Sequence, residues 1–302
     1  MDKPFERPRA LPVKGTIGVI APAGKVEMES VNCGAYALNA LGFQVVLGKH
    51  LGKTNRYLAG TDKERADDFL TLMQDDSIDA VFCARGGYGS SRIIPYIDEI
   101  ANLPAKIFVG YSDITTLLLY LSKKYRMVTF HGPMVAAEFG SASYAGDIQS
   151  LIQILSGEVS KMVSPRIVSL KQGTAEGILT GGCLTLLCTT IGTPYEIETK
   201  DRILFIEDIA EAPYRIDRML THLKQLKKFD HIRGLIIGQM PACSSEILPE
   251  IIQDIFSDFD FPILFSFPSG HGDSLFTLPF GVSVRIETNP PSVTMLSPAV
   301  SI

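Results

Sequence analysis

The sequence predicts an α/β protein in two parts: an N-terminal doubly wound domain built on a parallel sheet, and a β-rich α/β C-terminal domain. Three observations carry this. Short apolar, β-branched runs at 16–21, 43–47, 78–84 and 106–110 alternate with helix-forming stretches, the pattern of strands buried on both faces. From about residue 141 to 172 that alternation lapses into small polar residues and weak patterning, which reads as a connection. Beyond it come further apolar runs and a tail, 275–296, of short alternating strands broken by Gly281 and Asn289-Pro290-Pro291. The expected boundaries are a first domain at 1–155, a linker at 156–172 and a second domain at 173–302.

In chain order, Pro22-Ala23-Gly24 turns the first strand into a helix that stops at Gly42. Thr61, with Glu64 three residues on, forms a capping box that opens a helix to about Met73. Arg85-Gly86-Gly87-Tyr88-Gly89 follows the third strand and leads into a short helix. The fourth strand runs into Gly110-Tyr111-Ser112-Asp113 and then a leucine-rich helix. In the second part, 177–184 is a strand followed by a turn, loosened by Gly181-Gly182, into a helix, and 202–207 is a strand that ends in an acid. Pro213 starts an amphipathic helix with Ile216, Met219, Leu220 and Leu223 on one face. A buried strand at 232–238, a helix at 247–256 and a strand at 262–265 follow.

With 46% hydrophobic and 20% charged residues over 302 positions, the chain can bury a substantial core. A net charge of −5 argues against a nucleic-acid or anionic-membrane partner. The first eight residues have no apolar centre to serve as a signal peptide, and no segment has the length of a membrane span. Cys33, Cys83, Cys183, Cys188 and Cys243 sit in apolar surroundings without zinc-site spacing, which reads as reduced, buried thiols in a cytoplasmic protein.

The chemistry centres on Ser112. A strand-to-helix turn pushes a serine hydroxyl out at the sheet edge and sets free N–H groups of the helix start behind it. The plain alternative is that Ser112-Asp113 only caps the helix; the glycine usual two residues after such a nucleophile is replaced by Ile114. Of five histidines, His271 is framed by Gly270 and Gly272 in a loop after a strand, so it can reach a ligand. His222 falls mid-helix, where a packing or surface role is expected, and His50, His131 and His231 lie beside strands. Glu207, at a strand end, can accept the Nδ1–H of a histidine and stabilise the imidazolium; Asp208 and Glu211 read as solvated loop acids. The Gly87 and Asp113 amides could form an oxyanion hole. Phosphate binding is the competing use of that glycine turn, but its spacing fits neither the dinucleotide fingerprint nor the P-loop. Arg85 could hold a substrate carboxylate or an internal salt bridge. Tyr88 is a second candidate for substrate contact.

Several motifs occur in one order: Gly18-Val19-Ile20-Ala21-Pro22, Ala84-Arg85-Gly86-Gly87-Tyr88-Gly89, Gly110-Tyr111-Ser112-Asp113 with Thr115, and His131-Gly132-Pro133-Met134. Gly181-Gly182, Glu207-Asp208, Glu211, Pro213-Tyr214-Arg215-Ile216-Asp217-Arg218, Gly270-His271 and Leu278-Pro279-Phe280-Gly281 complete the set. On these the chain resembles the LD-carboxypeptidase serine peptidases, which include muramoyltetrapeptide carboxypeptidases and microcin C immunity peptidases. The resemblance implies Ser112 as nucleophile, Glu207 and His271 as its triad partners, and the Gly87 and Asp113 amides as oxyanion hole. It also implies a site between the two domains, a homodimer, and no metal or organic cofactor. The implied substrate is a murein tetrapeptide, cut between a diamino acid and a terminal D-alanine; a peptidyl-aminoacyl-nucleotide or a role in binding alone are the alternatives. Where the family usually has asparagine after the glycine pair, this chain has Cys183.

Overall fold

The computed structural model describes residues 4–241 and 246–302. Cys243, expected as a buried thiol, lies outside the described residues. The first sheet contains β1 (Thr16–Ile20), β2 (Gln44–Leu47), β3 (Ala80–Cys83), β4 (Ile107–Gly110) and β5 (Thr129–His131). All five are parallel, in the order β5-β4-β3-β1-β2. β3 and β4 are buried at every position, which is why they read as unbroken apolar runs. β2 lies at the edge and is largely exposed. The order reverses between β1 and β3, and in such sheets the crevice beyond the carboxyl ends of the strands at that point receives ligands.

Helices α1 (Met28–Ala40), α2 (Asp62–Gln74), α3 (Ile94–Asp98), α4 (Thr115–Lys124) and α5 (Ala145–Leu155) accompany this sheet. The capping box expected at Thr61 is present: Glu64 N donates to Thr61 Oγ1 at 3.2 Å and Thr61 N to Glu64 Oε2 at 2.8 Å. Phe69 of α2 meets Phe108 of β4 edge to face at 5.5 Å. α5 was not expected. Its apolar positions Ile148, Leu151, Ile154 and Leu155 are buried at helical spacing, but the small polar residues ahead of them hid the pattern.

The second sheet begins inside the stretch expected to be a linker. β6 (Lys161–Met162) and β7 (Val168–Lys171) form its two edges. Next come β8 (Thr174–Cys183), α6 (Leu184–Thr189), β9 (Arg202–Glu207), α7 (Pro213–Gln225), β10 (Gly234–Ile237), α8 (Leu248–Ile255) and β11 (Ile263–Phe265). The chain closes with β12 (Leu278–Phe280), β13 (Ser283–Thr288) and β14 (Pro291–Met295). The sheet order is β6-β14-β13-β8-β9-β10-β11-β7, parallel from β8 to β11 and antiparallel elsewhere. On α7, Ile216, Leu220 and Leu223 are buried as the pattern required, and Met219 is partly so.

One strand of the tail crosses over. β12 pairs antiparallel with β5 and completes the first sheet, with Leu278 opposite His131 and Phe280 opposite Thr129. One of the two apolar clusters accordingly contains Val19, Phe82 and Leu117 from the first half together with Phe205, Phe267 and Val284 from the second. Of the described cysteines, Cys83 and Cys183 are buried, Cys188 is half-buried and Cys33 is exposed on α1, against expectation. Among the described residues no helix is long and apolar enough to cross a membrane.

Two substitutions should separate local from global stability. Thr61→Ala removes one cap on an exposed helix end and should cost about 1 kcal/mol. Leu278→Ala empties a fully buried position in the strand shared by both halves and should cost about 2–5 kcal/mol, read by chemical denaturation.

Candidate active site

β4 ends at Gly110, and Tyr111 carries the chain into one 3-10 turn, Ser112–Ile114, that continues directly as α4. Ser112 has φ +63°, in the left-handed region that side chains with a Cβ rarely adopt. Strain of this kind persists only where the surroundings impose it. No side chain caps the turn, so the serine is not spent on the helix end. Its Oγ lies 2.9 Å from His271 Nε2, and His271 Nδ1 lies 2.7 Å from Glu207 Oε2. A carboxylate only accepts, so Nδ1 carries the proton and Nε2 accepts from the Ser112 hydroxyl. The three side chains come from the end of β4, the end of β9 and the loop between β11 and β12.

Small residues make this approach possible. A Cβ on Gly270 would sit 2.7 Å from Glu207 Oε2, so only glycine lets the histidine loop close over the acid. A Cβ on Gly86 would sit 2.8 Å from Ser112 Cβ and 3.3 Å from Asp113 N. The glycine turn after β3 therefore lies directly against the serine and the helix start behind it. The Gly87 amide donates to no acceptor among the described residues. The Asp113 carboxyl accepts the Ser90 amide at 2.8 Å, while Ser90 Oγ donates to the Asp113 carbonyl at 2.6 Å.

The electrostatics follow from burial and contact. Glu207 is fully buried, and burial raises its carboxyl pKa while the His271 contact pulls the other way. For His271 burial works against the imidazolium, but the hydrogen bond and charge of Glu207, with Asp208 and Glu138 adding, outweigh it. Its pKa stands above the usual value. Tyr111 walls the imidazole edge-on at 5.0 Å between ring centres, and its hydroxyl donates to Glu138 Oε1 at 2.7 Å. Glu138 Oε2 takes the Met134 amide at 2.7 Å. Nothing in the sequence marked Glu138, which lies 27 positions from its tyrosine partner.

The remaining predicted residues fall nearby. Arg85 is exposed and donates to the Lys25 carbonyl at 3.0 Å, and no salt bridge holds it among the described residues. Tyr88 is half exposed, with its ring 5.8 Å from Tyr57. Neither side chain hydrogen-bonds to Ser112, Glu207 or His271 among the described residues. Asp208 is buried rather than solvated: it accepts from Thr185 N and Oγ1 at 2.8 Å and from Ile209 N at 2.8 Å. Cys183 pairs opposite Glu207 in the parallel β8–β9 ladder, and its Sγ faces Asp208 Oδ1 at 3.7 Å. Its thiol is pushed well above the usual pKa by burial and by the Glu207 and Asp208 charges, so it is a neutral donor to Asp208.

A base that must be neutral but has a raised pKa gives a rate that climbs with pH. The acidic limb of kcat/KM should lie above about 6.5, the ordinary histidine value. Glu207→Gln removes the anion that holds the proton on His271, so the limb should move to lower pH while the plateau falls. A limb that stays in place would show that Glu207 does not set the histidine.

Residues 17–132 match the LD-carboxypeptidase N-terminal domain and residues 176–286 the LD-carboxypeptidase C-terminal domain. A Bacillus subtilis protein named "Probable murein peptide carboxypeptidase" is 38% identical over 297 residues, covering 93% of this chain and 92% of that one. The murein tetrapeptide carboxypeptidase of Pseudomonas aeruginosa is 28% identical over 294 residues, covering 92% and 95%. Among solved structures, the microcin C7 self-immunity protein MccF in complex with glutamyl sulfamoyl guanosine superposes with a TM-score of 0.91. It is 27% identical and covers 98% of this chain and 99% of that one. The chain belongs to the LD-carboxypeptidase family, a family of serine-type carboxypeptidases.

Proposed function

We propose that the protein removes the terminal D-alanine from murein tetrapeptides, hydrolysing the bond between the diamino acid and D-alanine. The observation that carries the reading is the relay from Ser112 Oγ through His271 to buried Glu207, with hydrogen bonds of 2.9 and 2.7 Å. The names of the relatives from Bacillus subtilis and Pseudomonas aeruginosa support the murein substrate. In this reading the enzyme acts as a cytoplasmic homodimer in cell-wall recycling.

Ser112 Oγ attacks the scissile carbonyl as His271 Nε2 takes its proton, with Glu207 stabilising the imidazolium. The oxyanion of the tetrahedral intermediate is held by the Gly87 and Asp113 amides; one such donor contributes about 3 kcal/mol to lowering the barrier. His271 then protonates the amine, D-alanine leaves and the acyl group remains on Ser112. Water, deprotonated by His271, releases the shortened peptide and restores the serine. Arg85 is the cation for the terminal carboxylate, and Tyr88 is the second substrate contact.

A second reading has one specific support, the fit to a microcin immunity protein bound to an aminoacyl sulfamoyl nucleoside. The test is mass spectrometry of L-Ala-γ-D-Glu-meso-diaminopimelyl-D-Ala incubated with the native protein and with Ser112→Ala. Loss of one D-alanine is expected from the native protein, with kcat lowered on the order of 10⁴–10⁶-fold in the variant. An intact tetrapeptide, together with cleavage of an aminoacyl-nucleotide analogue, would replace the murein reading with the second one.

A further inference from the structure

Arg65 is a charged side chain where charge is costly. It projects from α2 into the core with 1% of its surface exposed. Its Nη1 donates to the Pro22 carbonyl at 2.6 Å and to the Gly89 carbonyl at 2.7 Å, and its Nη2 pairs with Asp62. The two carbonyls belong to different loops, one leaving β1 and the other leaving β3, at the point where the strand order reverses. The first of these loops, Ala21-Pro22-Ala23-Gly24, has no part in the relay described above.

A second set of contacts runs through the same two loops. Gly24 N donates to the Gly86 carbonyl at 3.0 Å. A Cβ on Gly87 would lie 3.3 Å from Gly24 Cα, so the two glycine turns press backbone against backbone. Beyond Gly89, the Ser90 amide and hydroxyl engage Asp113, the residue after the nucleophile. The stretch from Gly86 to Ser90 is thus gripped at Gly86 by Gly24, at Gly89 by Arg65 and at Ser90 by Asp113. The Gly87 amide lies inside that grip. A planar guanidinium holds two carbonyls on one nitrogen and a carboxylate on another in fixed directions, whereas a lysine carries all its donors on one freely rotating nitrogen.

We infer that Arg65 is a positioning residue for acyl transfer, which sets the Gly87 amide at the nucleophile by clamping the loop after β3 to the loop after β1. The inference rests on reading Ser112 as nucleophile and the Gly87 amide as oxyanion donor. Such a donor acts on the transition state, so misplacing it lowers kcat and leaves ground-state binding nearly untouched.

The experiment compares native protein with Arg65→Lys, which keeps the positive charge but replaces the two nitrogens that separately serve the carbonyls and Asp62 with one, on a shorter side chain. Three quantities are read: kcat and KM on the tetrapeptide, inhibition by a peptide aldehyde that adds to Ser112 and places an oxyanion in the hole, and the Gly87 amide resonance in a Ser112→Ala background. Arg65→Lys should lower kcat about 10–100-fold with KM within about two-fold, weaken the aldehyde in proportion and shift the Gly87 resonance. A lower melting temperature with kcat, aldehyde affinity and the Gly87 resonance all unmoved would reduce Arg65 to a structural residue and overturn the inference. Should Arg65→Lys not fold, Asp62→Asn, which leaves the guanidinium in place but weakens its anchor, is read by the same criteria. Retained turnover in Ser112→Ala would instead overturn the catalytic reading, and the Gly87 resonance would still report the clamp.

Discussion

Three facing residue pairs between β12 and β5 hold the nucleophile and its acid in one frame. Ser112 is carried by the first sheet and Glu207 by the second, and His271 lies on the loop that leaves the second sheet at β11 and enters the first at β12. The imidazole is thus strung between the two sheets, and contacts of 2.7 and 2.9 Å leave only a few tenths of an ångström of play. A second tie lies beside it: the Cys183 amide donates to Thr115 Oγ1 at 3.1 Å, joining the end of β8 to the start of α4. Sheet docking and site geometry are one constraint.

The two histidines near this seam show how surroundings decide chemistry. His131 is fully buried on β5 against Tyr111, Phe205 and Phe280, and neither ring nitrogen has a partner among the described residues. Burial, with the neighbouring His271 adding, pulls its pKa down to about 3, so it is a neutral aromatic filler at the joint. His271 is also largely buried but faces Glu207, and its pKa moves upward. A carboxylate at one nitrogen separates a proton carrier from a packing residue.

Local patterns in the sequence reach most of the elements because β1, β3, β4, β9 and β10 are buried strands whose apolar runs need no knowledge of their neighbours. They miss what depends on partners far along the chain. β12 reads as another short tail strand, and nothing local says that Leu278 faces His131 in the other sheet. β6 and β7 are short edge strands with Met162 as their one buried residue, so 156–172 looked unstructured. At the site, Ser112, Glu207 and His271 stood out through strand ends, glycine flanks and the order of short motifs, and the structure brings them into contact. Glu138 and Arg65 escaped notice because a buried polar residue with a distant partner leaves no periodic trace.

The crossing of β12 also bears on how the chain is made. β5 is complete once residue 131 has been synthesised, but the strand that covers its outer edge ends the loop carrying His271, far downstream. At about 5–20 residues per second, that edge stays open on the order of 10 s while the intervening residues are added. An open strand edge offers unpaired N–H and C=O groups to another chain. The nascent N-terminal half therefore carries an unpaired strand edge until β12 is made, and the strand that orders the active site is also the one that closes it.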